Sequence, residues 1–300
     1  MIAAPATPTP AVDAGGRPRT ALARRWRRNR RLVAGAVLIV AAIAVAALAP
    51  MLAPYPPLQQ APALNNRPPL FRDPTGGLHL LGTDPLGRDV LSRTMFGARV
   101  SLLIGAVAVL LAGAIGVSLG VLAGYAGGIV EAAIMRFVDT LLAIPFVLLA
   151  IVSVSLFGQN LGGLILILGL TGWLGYARVV RGVVLSLKEA LYVDAARTIG
   201  VPPAGLILRH ILPGVWTPVI VIATQQVGAM MIAESSLTFL GIGIPPTVPS
   251  WGAMIADGRS YVGTAWWISV FPGLALTVTV LAVYFFGDGL RDLLDPRLRL

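Results

Sequence analysis

The sequence predicts an all-α integral membrane protein, and three observations support that fold class. Hydrophobic residues make up 56% of the 300 positions and charged residues only 12%, whereas soluble proteins average about 45–50% and about 25%. So few charges could not cover the surface of a soluble protein of this length. Long apolar runs recur six times along the chain, and each could cross a bilayer as a helix. The composition therefore excludes a soluble enzyme, a disordered chain and a fibrous repeat.

The basic residues are concentrated before the first apolar run. The formal net charge is +10, and eight of the 23 basic residues lie between Arg17 and Arg31. That placement is typical of a cytoplasmic membrane anchor rather than of a nucleic-acid-binding surface, so we expect a lipid partner and no nucleic acid. Residues 1–31 carry no apolar period and are predicted to be a disordered, basic cytoplasmic segment. The chain has no cysteine, which excludes disulfides, zinc–thiolate sites and thiol catalysis. No cofactor or metal site is predicted.

Residues 32–99 are predicted to form a first transmembrane helix and an external loop. The apolar run Leu32–Ala49 ends at Pro50 and is long enough to span. A cleaved signal peptide is the alternative, but its apolar region would be only about 7–15 residues long. Beyond the Pro-rich loop, Asp84 and Pro85 predict an N-cap and a first helical position. Asp89 and Arg93 are then expected on one helix face.

Residues 100–290 are predicted to form a five-helix permease core, followed by a cytoplasmic tail at 291–300. The polar stretch 178–212 lies between the fourth and fifth spans and is predicted to be cytoplasmic. With both termini inside, the inner segments hold 17 basic residues and the external loops hold 6, which favours this orientation. The six spans are placed at about 32–49, 101–123, 132–157, 161–177, 213–232 and 266–287.

A stripe of small residues in the second span predicts close helix packing. Ala112, Gly116 and Gly120 recur every four residues, so a neighbouring helix could approach their backbone closely. Gly116, Ser118 and Gly120 also match the nucleophile elbow of serine hydrolases. That motif needs a strand-to-helix turn and a nearby base, whereas here it lies within a span. A hydrolase is therefore not favoured.

Polar residues within or near the spans are few. Asp139 follows Arg136 by three residues, which predicts a local ion pair. Glu234 is placed near the outer end of the fifth span, and His79 is expected in a solvated loop. Thr224, Gln225, Gln226 and Glu234 are possible pathway-lining residues. Hydrogen bonding to neighbouring helices is an equally good interpretation of the neutral residues.

Residues 189–213 (EALYVDAARTIGVPPAGLILRHILP) stand out within the polar stretch. A helix over 189–199 is predicted to end at Gly200, and Pro202 with Pro203 allows a second helix to begin. The prediction is a short helix–turn–helix on the cytoplasmic face. Such a capped pair is more ordered than a plain connecting loop requires.

This segment resembles the EAA loop of bacterial ABC-importer permeases. Asp194 stands where the family usually has glutamate, and His210 where the general pattern has isoleucine. Three further segments resemble the dipeptide, oligopeptide and nickel branch: residues 81–93, residues 233–241 with 249–252, and residues 287–297. The resemblance covers about residues 25–300. It implies an ATPase-coupling loop that includes Asp194, Ala195, Ala196, Gly200, Arg209, His210, Leu212 and Pro213.

The resemblance implies one permease subunit of an importer for di- or oligopeptides, with nickel and glutathione as alternatives. Its expected partners are a homologous permease, two cytoplasmic ABC ATPases and an extracytoplasmic solute-binding protein in the cytoplasmic (inner) membrane. The chain itself would not be an enzyme. A P-loop requires a Gly-Lys-Ser/Thr sequence, and the only lysine, Lys188, lies between Leu187 and Glu189. The alternative from another class is a stand-alone proton-coupled secondary transporter.

Overall fold

The computed structural model describes residues 29–294, and within them the chain is mostly helical. Residues 1–28, which are predicted to be disordered, lie outside the described residues. So do residues 295–300 of the predicted tail. Within the described residues, nine longer helical segments follow one another, in addition to the short 3-10 turns Pro62–Leu64 and Arg259–Tyr261. They are α1 Arg30–Leu52, α2 Val90–Ala126, α3 Gly128–Leu142, α4 Phe146–Phe157, α5 Leu161–Lys188, α6 Leu191–Thr198, α7 Pro203–Phe239, α8 Trp251–Gly258 and α9 Trp267–Leu294.

Five of these helices are long and apolar enough to cross a membrane: α1, α2, α5, α7 and α9. The number rises to six if α3 and α4 together form one span. Segments α3 and α4 meet at an angle of 87°, so the span placed at 132–157 is not one continuous helix. The break includes Ile144 and Pro145. A residue before proline is driven away from helical geometry, which explains the position of the bend.

Several predicted helix ends are also corrected. Pro50 lies inside α1 rather than ending it. The N-cap of α2 is Asp89, whose side chain accepts from the Ser92 N–H, and not Asp84. Helix α5 continues to Lys188, so the first third of the polar stretch 178–212 is helical. Helices α1 and α5 thus continue past the point where the apolar run stops, whereas α2 begins later than predicted.

The tightest helix contact joins α2 to α5. Ala112 is fully buried, and the glycines that follow it touch the backbone of α5. A Cβ atom on Gly116 would lie 2.6 Å from the Trp173 carbonyl oxygen, and one on Gly120 would lie 2.8 Å from that of Ala177. Such distances leave no room for a side chain. The small-residue stripe therefore faces a protein helix.

Helix α1 packs against α9 and α2. Leu32 and Ala49, near its two ends, are fully buried. A Cβ atom on Gly289 of α9 would lie 2.6 Å from the Leu32 Cβ, and Gly35 contacts α9 in the same way. Integration of α1 into the bundle favours a membrane span over a cleaved signal peptide.

A network of buried charges ties the segment before α2 to α8. Asp84 and Arg93 have fully buried side chains and form an ion pair. Asp84 also binds Arg88 at 2.6 Å, and Asp257 of α8 binds both arginines at 3.1 Å. Asp89 and Arg93, expected on one helix face, bind different partners: Asp89 binds His79, and Arg93 binds Asp84 and Asp257. Asp84 is thus the centre of an ion network rather than a helix cap.

His79 is buried rather than solvated, which corrects the sequence-based expectation. It lies in a two-strand hairpin, Phe71–Arg72 paired with Leu78–His79, the small β component of this otherwise helical chain. Its Nδ1 is 2.8 Å from Asp89, and its ring stacks on Tyr55. In the hairpin turn, hydrogen bonds from Thr75 and Gly77 lower the pKa of Asp73. Residues 53–89, which are predicted to form an external loop and are here named the external segment, are therefore internally bonded.

We expect the double variant Gly116→Leu, Gly120→Leu to destabilise the bundle. Two leucines would push the α5 backbone away, and overpacking costs about 1–3 kcal/mol per site. Thermal unfolding of purified protein in detergent measures the loss. Gly182→Leu on α5 is the matched control, because a Cβ atom there meets nothing within 4 Å. Equal unfolding temperatures for the two variants would contradict this packing.

We expect Arg93→Ala to weaken the attachment of the external segment. Removing one partner of a buried ion pair typically costs about 3–5 kcal/mol, because the remaining charge stays buried. Arg99→Ala is the control, since Arg99 lies on the same helix with an exposed side chain. Limited proteolysis of residues 54–89 together with thermal unfolding measures the difference. Wild-type protease resistance in Arg93→Ala would argue against the network.

Candidate functional site

The segment between α5 and α7 is held in one conformation by a helix C-cap. Gly200 has φ +85°, a left-handed conformation that glycine adopts without steric cost. Its N–H donates to the Arg197 carbonyl at 3.0 Å, and the Val201 N–H donates to that of Ala196 at 3.1 Å. This pair of bonds is the Schellman motif. It satisfies the end of α6 and reverses the chain toward Pro203.

Helix α6 buries one face and exposes the other. Val193 and Ala196 pack against Leu206 and Ile211 at the start of α7. The opposite side bears apolar side chains that are largely exposed within the described residues: Leu191 is 88% exposed and Ile199 is 81% exposed. Exposed large apolar residues at the ends of a short ordered helix are typical of an interaction surface.

The predicted coupling residues divide between the two faces. Asp194 is exposed and forms an ion pair with Arg197 at 3.0 Å. Exposed pairs of this kind add little stability, so the Asp194 carboxylate is available to a partner. Among the other predicted residues, Ala196 is buried, His210 and Leu212 are half-buried, and Ala195, Gly200, Arg209 and Pro213 are exposed.

The second helix of the predicted pair is not a separate short helix. Residues Pro203–Gly205 lead through a π-helical stretch, Leu206–Ile211, directly into Leu212–Phe239. Pro213 cannot donate a hydrogen bond, and its ring crowds the carbonyl four residues earlier. A wider π turn before it relieves that crowding. As a result, the second half of segment 189–213 continues without a break into the rest of α7.

A second feature is a cavity at the α3–α4 bend. Its volume is about 430 Å³, and α3, α4, α5 and α7 all contribute to its wall. Gln226 of α7 donates to the Gly172 carbonyl of α5 at 3.2 Å and brings an amide to this otherwise apolar surface. The remaining wall includes Leu141, Ile144, Pro145, Phe146, Thr171, Gly175 and Met230.

The possible pathway-lining residues point in different directions. Gln226 lines the bend cavity. Thr224 faces α9, where its hydroxyl would meet a Cβ atom on Gly287 at 2.6 Å. Gln225 donates to Asp288 at 3.3 Å. Glu234 is fully buried and lies outside the cavity. Successive helix positions are rotated by about 100°, since a turn takes 3.6 residues, so these residues do not share one surface.

A polar cleft of about 650 Å³ lies between α3 and α5. Asp139 contacts Arg178 of α5 at 2.6 Å, and Glu131 forms an ion pair with Arg181. The predicted local pair between Arg136 and Asp139 is therefore wrong. The arginines of α5 could be recognised as partners only once α5 was known to extend to Lys188.

The hydrolase-like motif is part of a regular helix. Ser118 lies in α2, and its hydroxyl donates to the Ala114 carbonyl at 2.7 Å. The elbow that such an enzyme needs is a sharp strand-to-helix turn. Gly116 and Gly120 act here as packing positions.

Two family models match this chain. Residues 116–300 match the family described as binding-protein-dependent transport system inner membrane component. Residues 20–69 match the N-terminal TM domain of oligopeptide transport permease C. The second match covers α1, in agreement with its integration into the bundle.

Individual relatives are similar over most of the chain. The Haemophilus influenzae oligopeptide transport system permease protein OppC is 41% identical over 221 residues, which is 74% of this chain and 71% of that protein. The Bacillus subtilis dipeptide transport system permease protein DppC is 40% identical, over 75% of this chain and 71% of its own. A Pectobacterium atrosepticum glutathione transport system permease protein, GsiD, is 39% identical over 74% of this chain and 73% of its own. Taken with its bundle of membrane-spanning helices, these matches establish that the chain belongs to the family of binding-protein-dependent transport system inner membrane components and is a permease subunit of an ABC importer.

Proposed function

We propose that this chain pairs with a homologous permease and forms with it the passage for di- or oligopeptides across the cytoplasmic membrane. The observation that carries the proposal is the coupling segment, 189–213, which presents an ordered apolar and acidic face to a partner. Leu191, Asp194 and Ile199 lie on that face, and two cytoplasmic ATPases with a matching cleft are its expected partners. A solute-binding protein on the outer side would deliver the peptide.

The continuity of α6 with α7 suggests how ATP-driven movement reaches the passage. A push on α6 is passed to the start of α7 through the buried contacts of Val193 and Ala196. Because α7 runs as one helix from Pro203 to Phe239, displacement of its inner end changes the position of Gln226 in the bend cavity. The chain then alternates between inward- and outward-facing states, whose populations the ATPases control.

The bend cavity supports peptide over nickel as the cargo. Its lining residues carry amide, hydroxyl and apolar groups and no charged or imidazole side chain. A divalent transition-metal ion favours imidazole, thiolate or carboxylate ligands. Peptide bonds, by contrast, can exchange hydrogen bonds with Gln226 and Thr171. The glutathione permease among the relatives is consistent with a peptide-like solute.

Uptake into proteoliposomes tests this function. The chain would be reconstituted together with the partner permease, the ATPases and the binding protein that are encoded by genes neighbouring its own. We expect ATP-dependent accumulation of a radiolabelled tripeptide and none of ⁶³Ni²⁺. A proton-coupled carrier is not favoured by the family assignment. It would accumulate peptide without the ATPases when a proton gradient is imposed, which would overturn the proposal.

We expect Gly200→Val to abolish peptide uptake without preventing membrane insertion. A β-branched residue at this positive φ is strained by about 1–3 kcal/mol, and relief of the strain tilts α6 away from α7. ATP hydrolysis by the complex should then lose its stimulation by loaded binding protein. Gly200→Asn is the control, because asparagine tolerates the left-handed conformation and should retain uptake. Wild-type transport by Gly200→Val would mean that the segment is only a connecting loop.

Single cysteines in this cysteine-free chain test the proposed orientation. Pro74, Ala204 and Thr247 are exposed, and replacing each by cysteine creates one labelling site. In intact spheroplasts, an impermeant maleimide should label positions 74 and 247. Position 204 should react only after the membrane is permeabilised, because the coupling segment is placed inside. Labelling of position 204 in intact spheroplasts would invert the proposed topology.

A further inference from the structure

One acidic side chain of α7 is enclosed by hydroxyl groups. Glu234 has no exposed surface. Ser101 of α2 and Ser235 donate to its Oε2 at 3.3 and 3.2 Å. Thr238 and Ser250 donate to its Oε1 at 3.0 and 3.2 Å. Each carboxylate oxygen thus accepts two hydroxyl hydrogen bonds, and we name these four donors with Glu234 the hydroxyl cage.

The direction of these hydrogen bonds is set by the backbone. Three of the four hydroxyls each accept a backbone N–H: Ser101 from Trp251, Thr238 from Ile244 and Ser250 from Ala253. A hydroxyl that accepts a backbone N–H keeps its own proton free to donate, and Glu234 lies within hydrogen-bond reach of each of these hydroxyls. The cage can therefore supply hydrogen-bond protons to both carboxyl oxygens of Glu234.

The cage lies where α8 is pressed against two spans. Ser250 is the N-cap of α8, so the same hydroxyl that begins α8 also bonds Glu234. A Cβ atom on Gly252 would lie 2.6 Å from the Ser235 Cα, and the Trp251 indole N–H donates to the Thr94 carbonyl of α2 at 2.9 Å. The first turn of α8 is thus held to α2 and α7 by polar bonds that meet at Glu234.

Glu234 also shares a helix with the coupling segment. Helix α7 begins at Pro203, shortly after Gly200. It ends at Phe239, five residues past Glu234. Any displacement of α7 that begins at α6 is therefore carried along the helix to the cage. Near the other end of α8, Asp257 joins the Asp84–Arg93 network. This network attaches the external segment to α8.

We propose that Glu234 is a positioning residue that fixes α8 to α7, so that the external segment moves together with the coupling segment. This inference rests on the proposed function, because the coupled movement matters only in an ATP-driven importer. The cage transmits displacement in both directions. Binding of the loaded binding protein on the outer side displaces α6, and displacement of α6 changes the position of the external segment.

The test compares variants in the reconstituted importer with its ATPases and binding protein. For Glu234→Gln, which keeps the shape but adds N–H donors facing hydroxyls, and for Ser250→Ala, we expect basal ATP hydrolysis to be retained. The stimulation of hydrolysis by loaded binding protein should be strongly reduced per assembled complex. Ser236→Ala is the control, because Ser236 lies on the exposed side of α7 and bonds only the Ile232 carbonyl.

The outcomes separate positioning from folding. If Glu234→Gln lowers complex yield but the complexes that assemble keep the wild-type ratio of stimulated to basal hydrolysis, Glu234 serves folding alone and the inference is overturned. A wild-type ratio in Ser250→Ala, which removes both the bond to Glu234 and the N-cap of α8, would also overturn it. Failure of the wild-type complex to respond to binding protein would instead refute the proposed function, so the two failures are distinguishable.

Discussion

The contact of α2 with α5 at backbone distance is the constraint on which the rest of the bundle depends. Lipid is as apolar as a leucine side chain, so membrane helices gain nothing from hydrophobic attraction to one another and associate through close van der Waals packing. Gly116 and Gly120 permit that packing because their missing side chains leave the α5 backbone within reach. The short segments α3 and α4 connect the end of α2 to the start of α5. The bend cavity lies where α3 meets α4.

The charged residues of the described chain follow a second constraint, which is that a buried charge must be compensated. On the side of the external segment, Asp84, Arg88, Arg93 and Asp257 form one network. The two ion pairs between α3 and α5 are partly exposed to solvent, so this constraint acts on them less strongly. Glu234 is compensated by hydroxyl groups alone. A network of opposite charges gives rigid attachment, whereas hydroxyl donors hold an acid without a counter-ion.

Helix α7 connects these features. Its first turns receive the buried face of α6, its middle supplies Gln226 to the bend cavity, and its outer part carries Glu234 to α8. A helix is stiff along its axis because each residue bonds the one four positions away. One helix therefore reaches from the proposed ATPase contact to α8.

The sequence by itself determined the fold class, the approximate positions of five spans, the end of α6 at Gly200 and the family, because hydropathy, glycine and proline act locally. The bend at Ile144–Pro145 was also within reach of a local rule. The tertiary structure decided the partners of the charges: Asp84 as the centre of a network, Asp139 with Arg178, His79 in a buried hairpin and Glu234 in its hydroxyl cage. The pairs of Asp139 with Arg178 and of Glu234 with Ser250 join different helices. The pairs of Asp84 with Arg93 and of His79 with Asp89 depend on the folding of the segment before α2. No periodicity or spacing encodes them, since a carboxylate bonds whichever donor the packing of distant helices brings within about 3 Å.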